Sequence, residues 1–311
     1  MYVYVTWRKY KKILKDNNIK YIPVKKLSCR KIRKVCKKYN VDIIHAHDFK
    51  ASIFSAFSRT NSKIVSHIHK NDPKMKKVNL YSILFLISTL KYEKIIMVSK
   101  AVVNEFKFNK FIEKKVKVIG NPVDTKKIVE KSKKQNSGDE YDIVYLGRLS
   151  PEKNPVEFIE IINELNKKNK EIKAVMIGDG ELKNECMNKI YEYGLINNIK
   201  MLGFTENPYI NLKNSKIMCM TSNWEGFGLA AIEGLALGLP VIAKNVGGLK
   251  EIITNDCGTL YSNIQEAVQN IEEILKDTEL LKAKSQKAKN RAKKLENIKK
   301  YTNDIINIYE T

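Results

Sequence analysis

Two glutamates eight positions apart, Glu225 and Glu233, bracket a glycine-containing turn in the second half of the chain. The surrounding sequence predicts a strand that ends at Thr221, then a loop, then a helix that begins near Gly228. Backbone N–H groups at a helix start bind anions, and carboxylates accept hydrogen bonds from hydroxyl groups. Eight helical residues span about 12 Å. The pair therefore suits a ligand with hydroxyl groups at both ends and a diphosphate between them, such as a nucleotide sugar.

Two further loops follow predicted strands and suit an anionic ligand. Residues 147–154 include Arg148 and Lys153, two cations that could neutralise a diphosphate leaving group. Residues 177–180 form another glycine turn, which is weak evidence alone because turns between strands and helices often use glycine. Since ligands bind beyond the carboxyl ends of parallel strands, we expect the three loops to share one rim.

In combination these segments resemble the retaining glycosyltransferases of family 4, the group 1 transferases. Glu225 and Glu233 match the family's E-x7-E pattern, and residues 147–154 resemble its G-R-L-x-x-x-K-N/G loop. The resemblance covers nearly all of residues 141–275, and it is looser in the first half of the chain. Other similar segments are residues 177–180, 202–204 and 243–253, and, among the strand ends of the first half, residues 41–47, 98–99 and 118–124.

The resemblance implies a GT-B fold, in which two Rossmann-like, doubly wound α/β lobes face each other across a cleft. It also implies transfer from a nucleotide diphosphate sugar with retention of configuration and without a metal ion. We expect a UDP-sugar as the donor substrate and no separate cofactor.

The resemblance assigns roles to particular residues. Arg148 and Lys153 hold the diphosphate, Glu225 and the backbone of residues 226–229 hold the sugar and phosphates, and Glu233 holds the ribose. The implied catalytic residues are Glu225, Arg148, Lys153 and His69. The implied donor-binding residues are Gly147, Gly178, Gly180, Phe204, Gly226, Phe227, Gly228, Leu229 and Glu233.

Histidines are confined to the first half of the chain. His69 resembles the first-lobe histidine that faces the donor sugar in the family, but an ordinary histidine at a strand end explains it equally well. His45 and His47 look structural rather than catalytic.

Strand and helix patterns alternate along the whole chain, which predicts parallel sheets with crossover helices. The predicted domains are a first lobe (1–124), a linker (125–140), a nucleotide-sugar-binding lobe (141–296) and a helix that docks on the first lobe (297–311). The predicted strands are residues 19–24, 42–45, 63–67, 94–98, 116–119, 141–147, 172–177, 199–202, 217–221, 240–244 and 258–261.

One departure from the family concerns the first lobe. Family members usually open with a strand, a glycine-rich loop and a helix, whereas this sequence has no glycine before Gly120. We therefore expect the first lobe to lack that strand and loop and to be less stable than the second lobe. Sugar transfer by the chain should be impaired, because the acceptor lobe is incomplete.

Composition narrows the partners. The chain has 57 Lys and Arg residues against 34 Asp and Glu residues, a net charge of +23. An excess of this size favours anionic partners, although an AT-rich genome that enriches Lys, Asn and Ile explains it equally well. Five cysteines without a C-x-x-C pair indicate reduced thiols and a cytoplasmic protein. No nucleic-acid-binding motif accompanies the charge, so nucleic acid is not an expected partner.

The most apolar window, residues 78–90, is too short to cross a bilayer. It predicts either a buried or amphipathic helix, or a surface that contacts an anionic membrane on its inner face. The expected function is sugar transfer to a glycan or lipid-linked acceptor in bacterial surface polysaccharide or glycolipid assembly. The alternatives are a truncated, non-catalytic remnant that binds nucleotide sugar, and an epimerase on the same fold.

Overall fold

The computed structural model describes residues 2–5, 11–133 and 139–310. The chain divides into two compact units. The first comprises Met1–Met97 and Val103–Val118, and the second comprises Val98–Val102 and Ile119–Thr311. Both are α/β units in which every described strand pair is parallel, as the sequence predicts.

The first unit contains a two-stranded sheet, β1-β2, and a four-stranded sheet in the order β3-β4-β5-β6. The strands are β1 (Tyr2–Val5), β2 (Lys20–Pro23), β3 (Ile43–His47), β4 (Lys63–Ile68), β5 (Lys94–Met97) and β6 (Val116–Val118). The helices are α1 (Lys11–Asp16), α2 (Cys29–Tyr39), α3 (Asp48–Ala56), α4 (Leu80–Ser88), α5 (Lys100–Glu105) and α6 (Asn109–Ile112).

Aromatic rings fill the space between α4 and its neighbours. The Phe85 ring meets Phe49 edge-on at a centroid distance of 4.8 Å and Phe106 at 5.4 Å. Both phenylalanines and Phe85 are buried. Edge-to-face pairs of this kind add about 0.5–1.5 kcal/mol to the burial of the rings, so the inner face of α4 is firmly held.

The second unit is a six-stranded sheet in the order β12-β11-β10-β7-β8-β9. The strands are β7 (Tyr141–Leu146), β8 (Ala174–Ile177), β9 (Ile199–Gly203), β10 (Ser215–Met220), β11 (Val241–Lys244) and β12 (Gly258–Tyr261). The helices are α7 (Thr125–Ser132), α8 (Pro155–Lys168), α9 (Lys183–Glu192), α10 (Tyr209–Lys213), α11 (Leu229–Leu237), α12 (Leu249–Ile252), α13 (Ile264–Lys276), α14 (Thr278–Leu295) and α15 (Ile298–Glu310).

Helices cover both faces of this sheet, so its strands are buried on two sides. In β8, Ala174 and Met176 belong to one hydrophobic cluster, whereas Val175 and Ile177 belong to the other. This alternation follows from the two-residue period of a strand. It explains why the strands are continuous apolar runs in the sequence.

The predicted strands are confirmed, with ends that agree within two residues. The prediction omitted β1, which pairs with β2 from Tyr2↔Lys20 to Val5↔Pro23. A strand therefore precedes the first predicted strand, residues 19–24.

The predicted linker, residues 125–140, begins with α7, whose Ile128 is buried in a core cluster of the second unit. The Asp124 carboxylate caps α7 by accepting a hydrogen bond from Lys127 N at 2.9 Å. Residues 134–138 lie outside the described residues. The first half of the linker is thus a packed helix rather than an extended connection.

The chain before α15 is anchored within the second unit. Asn297 Oδ1 accepts a hydrogen bond from Val123 N at 3.0 Å, and Asn297 Nδ2 donates to Asn121 O at 3.2 Å. Docking of residues 297–311 on the first lobe stays a prediction. Across the residues that the structure describes, no helix has both the length and the apolar character that a membrane crossing needs.

Candidate active site

The order of strands in the second unit fixes where a ligand can bind. Numbered within this sheet, the order is 3-2-1-4-5-6, and it reverses between the adjacent strands β7 and β10. In open α/β sheets, the crevice beyond the carboxyl ends of strands at such a reversal is the usual ligand site. Residues 147–154 follow β7 and residues 221–228 follow β10. The two most informative sequence segments therefore lie side by side.

An ion pair joins these two loops. Lys153 Nζ contacts Glu225 Oε2, and the side chains are only 18% and 11% exposed. Nearby, Thr221 Oγ1 donates a hydrogen bond to Asn154 O at 2.7 Å. Two residues that the sequence placed in separate motifs therefore form a single half-buried unit of opposite charges.

Arg148 has a different environment from Lys153. Its side chain is 68% exposed, and its Nη2 lies 2.9 Å from Glu152 Oε2. An exposed pair of this kind contributes about 0–1 kcal/mol. Arg148 can therefore leave Glu152 for a ligand at little cost, whereas Lys153 is fixed by Glu225.

The helix α11 begins directly after this loop and lacks a side-chain cap. Its N-cap residue, Gly228, has a φ of 98°, a conformation that favours glycine. The loop before it is pinned by two hydrogen bonds, from Ser99 Oγ to Gly226 O at 2.6 Å and from Gly248 N to Glu225 O at 2.9 Å. The first N–H groups of α11 thus form a rigid, positive helix terminus.

The glycines after β8 allow close packing of loop backbones. An added Cβ at Gly178, whose φ is 143°, would overlap Gly147 O, and one at Gly180 would overlap Leu149 O. Leu149 N also donates to Asp179 O at 3.1 Å. Gly178 and Gly180 therefore shape the loop after β7, and their direct contact with a donor stays a prediction.

Glu233 lies on α11, where Tyr209 OH donates a hydrogen bond to its Oε1 at 2.9 Å. Burial raises the pKa of Glu233, while the bond from Tyr209 and the charge of Lys131 lower it in part. Burial, followed by the charge of Glu233, raises the pKa of Tyr209. Sequence reasoning did not find Tyr209, because nothing near it in the chain links it to Glu233.

The large apolar residues among the predicted donor-binding residues differ in exposure. Phe204 follows β9 and is exposed, while Leu229 at the start of α11 is also exposed. Phe227 instead packs into a core cluster, and a Cβ added at Gly120 would lie 2.6 Å from its ring. The Phe227 side chain thus supports the loop, and contact of Phe227 with a donor stays a prediction.

A second polar network behind the crevice was not found from the sequence. The Glu157 carboxylate accepts hydrogen bonds from Lys244 Nζ at 2.5 Å, Tyr261 OH at 2.9 Å and Asn154 Nδ2 at 2.7 Å. α8 begins at Pro155, and the side chain of Asn154, at its N-cap position, makes no capping hydrogen bond. Its side chain binds Glu157 instead, and its φ is 46°.

All four histidines of the chain lie together on β3 and β4 or just after β4. His45 Nε2 is 3.0 Å from His67 Nδ1, and His47 Nδ1 is 2.7 Å from His69 Nε2. Burial and the neighbouring imidazoles lower the pKa of His45 to about 3 and that of His67 to about 2. One ring nitrogen each of His45, His47 and His67 lies within 4.8 Å of the others. His69 is thus the outer member of a histidine cluster in the first unit.

A separate groove of 790 Å³ lies at the opposite edge of the second sheet. It is lined near the amino ends of β7, β8 and β9 by Tyr141, Lys173, Ala174 and Ile199. Because ligands of parallel sheets bind at the carboxyl ends, the crevice between β7 and β10 is the stronger candidate.

Family models match most of the chain. The model described as "Glycosyl transferases group 1" matches residues 126–294, and that described as "Glycosyltransferase Family 4" matches residues 8–127. The chain therefore belongs to the group 1 glycosyltransferases.

The individual relatives described below are each less than 30% identical to this chain. An uncharacterised glycosyltransferase of Methanocaldococcus jannaschii is 28% identical over 72% of this chain and 60% of its own length. The UDP-Gal:alpha-D-GlcNAc-diphosphoundecaprenol alpha-1,3-galactosyltransferase of Escherichia coli is 27% identical over 72% of this chain and 62% of its own. The capsular polysaccharide biosynthesis glycosyltransferase CapH of Staphylococcus aureus is 28% identical over 75% and 68%. The chain thus spans about three fifths of the length of the first of these relatives.

Solved structures show the same fold. Anabaena HepE in complex with UDP and glucose has a TM-score of 0.84 at 20% identity, with 100% of this chain and 91% of that chain covered. The sucrose-phosphate synthase of Thermosynechococcus elongatus has a TM-score of 0.77 at 19% identity, over 94% and 80%. The fold is therefore GT-B, with two Rossmann-like domains.

Replacement of Gly178 by Ala tests the packing between the two loops. We expect Gly178→Ala to lower the free energy of unfolding by about 3 kcal/mol, because backbone strain adds to the overlap with Gly147 O. Gly194 also has a positive φ, of 66°, but nothing lies within 4 Å of an added Cβ. Gly194→Ala should therefore cost only about 1 kcal/mol. Urea titration followed by circular dichroism measures both, and equal losses would show that the overlap has no role.

Proposed function

We propose that this chain transfers a sugar, with retention of configuration, from a UDP-sugar to a glycan or lipid-linked acceptor. The setting would be surface polysaccharide or glycolipid assembly in bacteria. The observation that carries the proposal is the crevice between β7 and β10, which combines the Lys153–Glu225 pair with the uncapped start of α11. Cations and free N–H groups suit the diphosphate, and the glutamates suit hydroxyl groups.

The relatives support the donor and acceptor classes. The Escherichia coli relative is named for UDP-Gal and a diphosphoundecaprenol acceptor, and the Staphylococcus aureus relative for capsular polysaccharide. HepE was solved with UDP and glucose. These names describe those proteins, and the likeness in fold makes the same chemistry the first to test here.

In the proposed reaction, the bond between the anomeric carbon and the diphosphate oxygen breaks as the acceptor hydroxyl attacks from the same face. The bonding electron pair and its negative charge go to the leaving diphosphate. The acceptor oxygen bonds to the anomeric carbon, and its proton passes to an oxygen of the departing diphosphate. Lys153, Arg148 and the α11 terminus would stabilise this charge in place of a divalent metal. Because Lys153 has three N–H bonds, its pairing with Glu225 leaves donors for phosphate oxygens.

The Glu225 carboxylate has two tasks in this proposal. It orients Lys153 through their ion pair, and it accepts hydrogen bonds from hydroxyl groups of the donor sugar. Glu233 would bind the ribose hydroxyl groups, with Tyr209 holding its carboxylate in place. His69 remains a proposed catalytic residue by family resemblance alone.

Epimerisation and simple binding are the competing functions. An epimerase would change free UDP-sugar without an acceptor, and a non-catalytic remnant would bind UDP-sugar without turnover. Product analysis with and without acceptor separates all three.

Replacement of Lys153 tests the metal-free mechanism. Lys153→Met should lower kcat by roughly 100-fold, because a preorganised charge at the leaving group is lost. Lys200→Met is a matched control, since Lys200 pairs with Asp139 at 2.7 Å in the same unit but away from the crevice. Its kcat should be unchanged.

The kcat of sugar transfer is also measured in EDTA, where the parent chain should keep its turnover. If turnover disappears in EDTA and returns only with Mg²⁺ or Mn²⁺, the metal-free mechanism is wrong. Thermal unfolding of Lys153→Met checks that the variant is folded, because an unpaired Glu225 lowers stability.

Replacement of Glu233 and Tyr209 tests the ribose site. Glu233→Ala should weaken UDP binding by about 1–3 kcal/mol and Tyr209→Phe by about 1 kcal/mol, as hydrogen bonds are lost. Glu192→Ala, at an exposed position of the same unit, should leave affinity unchanged. Calorimetric titration with UDP gives the three values, and parent-like affinity in Glu233→Ala would remove Glu233 from the site.

A further inference from the structure

Nearly all of the net positive charge of the chain lies in its first part. Residues 1–118 contain 29 Lys and Arg against 7 Asp and Glu, whereas residues 119–311 contain 28 against 27. A genome-wide bias toward lysine codons would act on both parts alike. The excess therefore belongs to the first unit and requires an explanation there.

The helix α4 has a second apolar side that faces outward, in addition to the side that carries the buried Phe85. Ser82 and Ser88 are buried, while Leu80 and Leu90 are 73% and 79% exposed. Leu80, Ile83, Ile87 and Leu90 recur at helical spacing and form one exposed stripe, which we call the α4 stripe. A helix on the surface of a soluble domain normally presents polar residues on its outer side.

Local hydrogen bonds and the packing of one aromatic ring together hold α4 in this orientation. Asn79 Oδ1 accepts from Ser82 N at 3.1 Å, and Ser82 Oγ donates to Lys77 O at 2.8 Å. At the other end, Ser88 Oγ lies 2.6 Å from Tyr92 OH. These bonds are local and satisfy the buried serines. The packing of the Phe85 ring against Phe49 and Phe106 decides which side of α4 faces inward, and it leaves the α4 stripe outward.

Lysines precede and follow the α4 stripe in the sequence. Lys74, Lys76 and Lys77 precede it and Lys91 follows it, all of them exposed. Residues 70–118 contain twelve Lys and four Asp and Glu. One of the acids, Glu105, is paired with Lys76 at 2.8 Å. Lys115 Nζ also lies at the end of the stripe, where it donates a hydrogen bond to Thr89 O at 3.0 Å, so lysines flank the stripe at both ends.

We propose that the α4 stripe and its lysines are the surface by which this chain binds an anionic lipid membrane. The aliphatic side chains enter the boundary between headgroups and acyl chains, and the lysines lie among the phosphates. A second copy of the chain would bring two cationic surfaces together, and a nucleic acid would leave the aliphatic stripe without a partner. An anionic bilayer satisfies both features at once.

The binding does not depend on the proposed transferase activity, because it is measured without donor or acceptor. If sugar transfer fails and vesicle binding succeeds, the two proposals are separated. A lipid-linked acceptor would give the contact its use.

Co-sedimentation with vesicles tests the proposal. The probes are vesicles of phosphatidylcholine alone and of phosphatidylcholine mixed with phosphatidylglycerol. We expect binding to the mixed vesicles only, with an affinity that falls as salt is raised, because exposed charges are screened.

Two variants of the full chain separate the apolar and cationic contributions. Leu80→Gln with Leu90→Gln should weaken binding at least about tenfold, since two inserted side chains are lost. Ile196→Gln, at an exposed position in the second unit, should have no effect. Lys74→Gln with Lys77→Gln and Lys91→Gln should also weaken binding, whereas Lys287→Gln with Lys293→Gln and Lys294→Gln on α14 should not.

Three outcomes would overturn the proposal. The first is equal binding to neutral and mixed vesicles. The second is parent-like binding by the leucine variant, which would leave only unspecific attraction of charges. The third is self-association that the leucine variant abolishes, without vesicle binding by the parent chain, which would make the α4 stripe a contact between copies.

Discussion

The ion pair between Lys153 and Glu225 joins the two loops on which the proposed site depends. One loop follows β7 and the other follows β10, so the pair bridges the point where the order of strands reverses. Both side chains are largely shielded from water, and removal of either would leave an uncompensated charge. The pair therefore positions the site and also makes it sensitive to mutation. It keeps one cation ready for a phosphate without exposing that cation fully to solvent.

Backbone packing adds a second constraint around this pair. Gly178 and Gly180 allow the loop after β8 to support the loop after β7, and Gly247 and Gly248 allow the loop after β11 to support Glu225 and its neighbours. Each of these glycines touches another backbone so closely that a side chain would overlap it. These glycines are thus required by the packing of the loops. They influence a ligand through the shape of those loops.

Strands and motif positions could be predicted from the sequence, because continuous apolar runs and glycine turns are local signals. The parallel α/β class and the rim shared by residues 147–154 and 222–228 followed from them. The partners of those residues could not be predicted. Tyr209 reaches Glu233 across 24 positions and Glu157 gathers Lys244 and Tyr261 from distant strands, so these contacts exist only after folding.

The helices α4 and α7 show the same limit. Residues 78–90 predicted a buried or amphipathic helix, or one that contacts membrane, but which side faces outward depends on the tertiary packing of Phe85 against Phe49 and Phe106. Residues 125–132 looked like a linker, because one buried isoleucine, Ile128, is too weak a periodic signal to predict a packed helix. Asparagine is a common N-cap residue, yet the side chain of Asn154, before α8, donates a hydrogen bond to Glu157 and does not cap the helix.

Hydrogen exchange with and without UDP tests the central claim most directly, because it reports where the nucleotide binds along the whole chain. The account predicts slower exchange on UDP binding at the amides of residues 226–231 and 147–153, which meet at the β7–β10 crevice. Protection confined to residues 139–141, 173–174 and 196–201, at the groove on the opposite edge of the sheet, would contradict it.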